Sequence, residues 1–262
     1  MTKTSNVIID FDTLDWVPSL EAALNGTVPN EVREKLQRSS YEYRDDARDE
    51  FEASVPNIDI IIDKTLEWIR SSQIRAFHGT RITDEEVKDI IEQGLKPLDK
   101  SARIDWLLSE FPEIANTIDK QTAINLSASH VMGEREGQVH LALSKRLMLS
   151  DYDYLFKGSE FDRRLIEFSD HQYLLPLLTK RGKPRLISVN LPGEVALAGA
   201  HPFFSIEMTR QVDRYPNLVG DLLMAFAWQI HKPRNSVYSK DSCLMFKCAI
   251  PGSYIHAIET ID

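Results

Sequence analysis

The strongest constraint on this chain is a short run, Ile74 to Gly94, that carries the start and stop signals of two successive elements. Ile74-Arg75-Ala76-Phe77 alternates as a half-buried strand does. Thr83-Asp84-Glu85-Glu86 follows as a capping box, in which the threonine hydroxyl accepts the backbone N–H three residues on and the glutamate there reaches back to the threonine N–H. A helix therefore begins at Asp84, with Val87, Ile90 and Ile91 on its buried face and Gly94 ending it in a left-handed conformation. His78-Gly79-Thr80-Arg81 lies between the two and reads as the turn that joins them. Such a corner gathers ligand-binding chemistry. The imidazole can donate or accept, the glycine lets a ligand approach the backbone, and Thr80 adds hydrogen bonds. Arg81 offers a clamp for a phosphate.

Elsewhere the pattern alternates between helices and well-spaced strands. Val7-Ile8-Ile9 reads as a short strand, Leu14 to Leu24 and Asn30 to Ala53 as helices with Asn30 as a cap, and Asp59 to Arg70 as a further amphipathic helix. Residues 1–72 are thus expected to form an N-terminal helical extension, followed by a second domain over 73–262. In that second part Ser101 to Lys120 reads as a peripheral helix and Val139 to Leu143 as a strand ending at Ser144. A helix through Tyr152, Tyr154 and Leu155 comes next, interrupted by Gly158, and Ser159 with Asp162 caps another over Glu160 to Phe168. Leu186 to Leu191, Leu244 to Ile250 and Ile255 to Ile258 read as strands, and Leu218 to His231 as an apolar helix. The expectation is an α+β fold with a mixed or antiparallel sheet.

Composition removes several alternatives. No apolar run approaches the ~20 residues that cross a bilayer, and the N-terminus lacks the basic segment and apolar core of a secretory signal, so a cytoplasmic protein without a membrane partner is expected. The formal net charge of −9 argues against general phosphate binding, while leaving room for a local basic groove. Cys243 and Cys248, five apart in a strand-like run, point to opposite faces and suit neither a shared disulfide nor a zinc site; no metal-ligand set is visible. Lys180-Arg181-Gly182-Lys183-Pro184-Arg185 is the one compact basic run; it could contact ligand phosphates or a nucleic-acid target, while as a solvated turn before a strand, the preferred reading, it needs no function.

The order strand, His78-Gly79-Thr80, capped helix, later strand ending in Ser144 and helix bearing Tyr154 resembles the nicotinamide-binding region of ADP-ribosyltransferases of the diphtheria-toxin and poly-ADP-ribose-polymerase type. The resemblance covers roughly Ile74 to Asp162. It implies an ADP-ribosyltransferase-like sheet core, and NAD as co-substrate. It implies that His78 bonds the nicotinamide ribose, that the Gly79 backbone holds the carboxamide, and that Tyr154 stacks on the nicotinamide ring, with Tyr152 the alternative. Thr80 and Arg81 complete the ligand corner, and Ser144 resembles the serine found at the same strand end in many members. The family's catalytic glutamate begins a late strand, where this chain has Lys240-Asp241-Ser242-Cys243. Two carboxylates are therefore candidates, Glu160, which is preferred, and Asp241. Either would hold a ribose hydroxyl and stabilise positive charge as nicotinamide leaves an oxocarbenium-like sugar.

The resemblance implies transfer of ADP-ribose to a macromolecular acceptor, protein or RNA/DNA, in an intracellular bacterial toxin or phage-defence effector, with an antitoxin or chaperone as a further partner. Two alternatives stay open: plain NAD hydrolysis, and a catalytically silent module that binds NAD or a partner.

Overall fold

The computed structural model describes residues 7–128, 135–151, 154–200, 205–213, 215–232 and 242–261. They form a mixed α+β fold. Its strands are β1 (Ile8–Ile9), β2 (Gln73–Ile82), β3 (Val139–Ala142), β4 (Lys183–Pro192), β5 (Cys243–Phe246) and β6 (Ile255–Thr260). The hydrogen-bonded order is β5-β3-β2-β4-β6, with β1 pairing β2. The β1–β2 pair is parallel, with Ile8 opposite Gln73, whereas β4 and β6 are antiparallel, with Arg185 opposite Thr260 and a bulge at Ser188/Val189.

Two compact units divide the chain. The first contains residues 1–76, 142–146 and 190–244, and the second residues 77–141, 147–189 and 245–262. The first 72 residues therefore share a unit with later segments. In it the helix Asn217–His231 is buried along most of its length and packs on Arg44–Ser54, where the Phe51 and Phe226 rings meet edge to face at 5.8 Å. Asn57 caps the helix Ile58–Arg70 by accepting the N–H groups of Asp59 and Ile60. The single helix expected over Asn30 to Ala53 is two, Asn30–Arg38 and Arg44–Ser54. Ser39 breaks it: its backbone is extended, and its hydroxyl donates to the Lys35 carbonyl at 2.9 Å, a local bond that competes with helix continuation. At the other end of this first helix Asn30 is the first helical residue and not the cap, with Pro29 in the capping position.

The second unit holds the Ile74–Gly94 signals from Phe77 onward. The capping box is present, with Thr83 Oγ1 accepting the Glu86 N–H at 3.3 Å and Glu86 Oε2 accepting the Thr83 N–H at 2.8 Å. Gly94 ends the helix Asp84–Gln93 at φ 83°, and a Cβ there would lie 1.8 Å from the Ile250 carbonyl oxygen. Only glycine fits so close an approach at positive φ. The expected buried face is absent, however. Val87 and Ile90 are half-buried and Ile91 is 53% exposed, because this helix lies against the short turn at Gly252 with its Ile91 side chain outward. A satellite core forms where the helix Glu160–Phe168 sets Phe161, Leu165 and Ile166 against Ile104, Leu107 and Phe111. Each such side chain contributes roughly 1.5–3 kcal/mol on burial, enough to fix the first turn of this helix in place.

Candidate functional site

The strand β2 does not stop at Phe77 but continues through His78-Gly79-Thr80-Arg81 to Ile82. It has sheet neighbours on both sides, β3 and β4, and backbone groups between two ladders gain most by staying extended. Gly79 is not among the glycines with positive φ. Strand geometry then decides which side chains can act together, since alternate residues share a face. His78 and Thr80 lie on one face, and Arg81 lies on the other.

His78, Gly79 and Thr80 line a cavity of about 300 Å3. Val139 and His140 of β3 form part of its wall, together with Ser159, Glu160 and Phe161 at the start of the helix Glu160–Phe168. Lys96 and Arg135 line it from two loops that are tied to each other, Leu98 N–H donating to the Gln138 carbonyl at 3.1 Å and Gly137 N–H to the Leu98 carbonyl at 2.8 Å. Every residue of this wall belongs to the second unit. The volume stands at the small end of ligand pockets, about 300 to 1,000 Å3.

Electrostatics give the cavity a definite character. His78 Nδ1 lies 3.0 Å from the His140 carbonyl oxygen. A carbonyl only accepts, so Nδ1 carries the proton and Nε2 is left as an acceptor. Burial holds the His78 imidazole below its usual range, the His140 carbonyl opposing the shift. The His140 imidazole is also held low, first by burial and then by the Arg135 charge, with Glu160 acting in the opposite sense; its Nε2 lies 2.9 Å from Gln138 Oε1. Glu160 is held by two guanidinium groups, Arg135 Nη1 at 2.8 Å from Oε2 and Arg164 Nη2 at 2.8 Å from Oε1. Arg103, another wall residue, forms a two-point ion pair with buried Asp162 and stacks over Trp106 at 3.7 Å. Asp162 therefore completes no capping box; Ser159 Oγ accepts its N–H at 3.4 Å while its carboxylate serves Arg103.

The structure thus gathers His78, Gly79, Thr80 and Glu160 around one space, and places other candidates elsewhere. Arg81 is not in the wall, and its guanidinium donates to four main-chain carbonyls, those of Thr179 at 2.7 Å, Gly182 at 2.9 Å, Arg181 at 3.1 Å and Phe156 at 3.3 Å. It staples a loop to the strand. Ser144 belongs to the first unit, where its hydroxyl donates to Asp12 Oδ1 at 2.7 Å. Tyr154 begins the short helix Tyr154–Lys157, and its side chain lies outside the described residues, as do Tyr152 and Asp241. Ser242, next to Asp241, donates its hydroxyl to the buried carboxylate of Asp221 at 2.6 Å. The basic run after Lys180 is largely ion-paired, Arg181 with Glu86 and Glu110, and Lys183 and Arg185 with Asp84.

Lys96, Arg103 and Arg135 were not legible as site residues. Arg135 and Lys96 sit in irregular loops where no periodicity points a side chain, and the Arg103–Asp162 pair joins positions 59 apart. Among the described residues no group of three or more His, Cys, Asp or Glu is placed to hold a metal ion, and no helix is long and apolar enough to cross a membrane. No family model matches the chain, nor does any curated protein or solved structure compared with it.

Proposed function

We propose that this chain is a nucleotide-binding enzyme of the glycosyl-transferring kind, its cavity taking a ribosyl group between His78 and Glu160. More particularly, the reading is of an NAD-dependent ADP-ribosyltransferase with an ADP-ribosyltransferase-like sheet core. The observation that carries it is the shared cavity: His78, Gly79 and Thr80 from one strand and Glu160 from a separate helix line the same space. His78 presents Nε2 as an acceptor for a ribose hydroxyl. Glu160 supplies the carboxylate that stabilises positive charge on the sugar as nicotinamide departs. The C–N glycosidic bond breaks, nicotinamide takes the electron pair, and a nucleophile on the acceptor closes the new bond at the same carbon. The acceptor is a macromolecule, protein or nucleic acid, as befits a toxin or defence effector held in check by an antitoxin or chaperone.

The test is transfer of label. Wild-type protein incubated with a host lysate and NAD carrying label in its ADP-ribose portion should leave label on a macromolecule, and His78→Ala and Glu160→Gln should not. Nicotinamide release without labelled macromolecule would favour NAD hydrolysis. A second reading, a binding module without turnover, is favoured by one observation: both Glu160 oxygens already face guanidinium groups. Binding of NAD without nicotinamide release would select it.

A further inference from the structure

The two arginines on Glu160 are not equivalent. Arg135 is part of the cavity wall, as Glu160 is, whereas Arg164 is not. Arg164 stands one helical turn along from Glu160 on the same helix, so its contact with Oε1 is built into the i,i+4 geometry. Arg135 reaches Oε2 from a loop, across the cavity side, with its side chain 49% exposed. An ion pair this exposed is worth about 1 kcal/mol or less, and an incoming group can replace it at small cost.

We infer that Arg135 is an exchangeable partner of Glu160, and that the ligand's anionic group takes it over. This rests on the reading of the cavity as a ribosyl site. Ligand entry replaces Arg135 at Oε2 with a sugar hydroxyl. The released guanidinium turns to an anion on the same ligand, with Lys96 as a further cation of the wall and Arg103 committed to Asp162. Arg164 stays on Oε1 throughout and is the positioning residue that keeps the carboxylate oriented. The role left vacant by Arg81, whose donors serve main-chain carbonyls, passes to Arg135 and Lys96. The cavity should therefore select a phosphorylated nucleoside over the same nucleoside without phosphate.

The experiment compares nicotinamide mononucleotide with nicotinamide riboside by calorimetry, on the full chain and on Arg135→Ala, Arg135→Lys and Arg164→Ala. Wild type should prefer the mononucleotide by about tenfold or more, the scale of one charge-assisted hydrogen bond. A riboside too weak to saturate sets a lower bound on that ratio. Arg135→Ala should abolish most of the preference, Arg135→Lys should restore part of it, and Arg164→Ala should weaken both ligands while keeping it. An unchanged preference in Arg135→Ala, or none in wild type, overturns the inference and leaves the ribosyl reading standing. Failure of wild type to bind either compound overturns both.

Discussion

The imidazole of His78 and the main-chain carbonyl of His140, 62 residues apart in sequence, meet at 3.0 Å, and this single contact sets the chemistry of the cavity wall. The carbonyl selects the Nδ1–H tautomer and turns an otherwise ambiguous ring into a hydrogen-bond acceptor at Nε2. Nitrogen-15 spectra of labelled protein at pH 7.5 should show His78 with a protonated Nδ1 and a bare Nε2. The opposite tautomer would remove the acceptor that the proposed ribose site requires.

The same burial has a consequence for pH. His78 and His140 are both held below their usual range, so the folded chain binds these protons less readily than the unfolded chain. Stability from this source is complete above the unfolded histidine pKa of about 6.5 and is lost as pH falls from there through the lower folded values. Urea midpoints measured at pH 7.5 and 5.5 should show a drop for wild type that is smaller in His78→Asn, since that variant has one proton fewer to exclude. An equal drop in both proteins would contradict the assignment.

At the helix start, Thr83→Ala removes the hydroxyl that accepts the Glu86 N–H and should cost about 1 kcal/mol. Glu86→Ala should cost more, because its carboxylate serves both the Thr83 N–H and Arg181 Nη1. Chemical denaturation reads both. Nicotinamide mononucleotide affinity of Thr83→Ala should remain at the wild-type level, as Thr83 is not in the cavity wall.

Gly94→Ala forces a side chain into positive φ and against the Ile250 carbonyl, disrupting the bridge in which Leu95 and Ile250 exchange hydrogen bonds at 2.9 Å. The expected loss is at least about 2 kcal/mol. Asp162→Ala should also destabilise, by about 1–3 kcal/mol, because it removes a buried carboxylate that holds Arg103 at two points. Thermal melts of the two variants against wild type would rank them.

What could be read from the residues depended on whether the cause was local. Thr83, Glu86 and Gly94 announce a helix through bonds made within a few residues, and the structure repeats them. Ser159 announces the next helix in the same way, which is why Glu160 was within reach of sequence reasoning. The extent of β2 was not legible, because its continuation past Phe77 depends on strands β3 and β4, more than fifty residues further along the chain. Arg81 consequently faces away from His78, as residues an odd number apart in a continuous strand do, and not into the ligand corner. Ser144 shows the same limit: the carboxylate that captures its hydroxyl, Asp12, is 132 residues away. The break at Ser39 was local and readable, as serine hydroxyls compete for helix carbonyls. Arg135 had no signal at all.

In the proposed site His78 and Glu160 together hold one nucleotide in this cavity. The most direct test is calorimetric titration of NAD into wild type, His78→Ala and Glu160→Gln, with the melting temperature of each unliganded protein as the control for folding. Wild type should bind saturably, and each variant at least tenfold more weakly with its unliganded melting temperature within a few degrees of wild type. Wild-type affinity retained in both variants, or no binding to wild type, would contradict the proposed site.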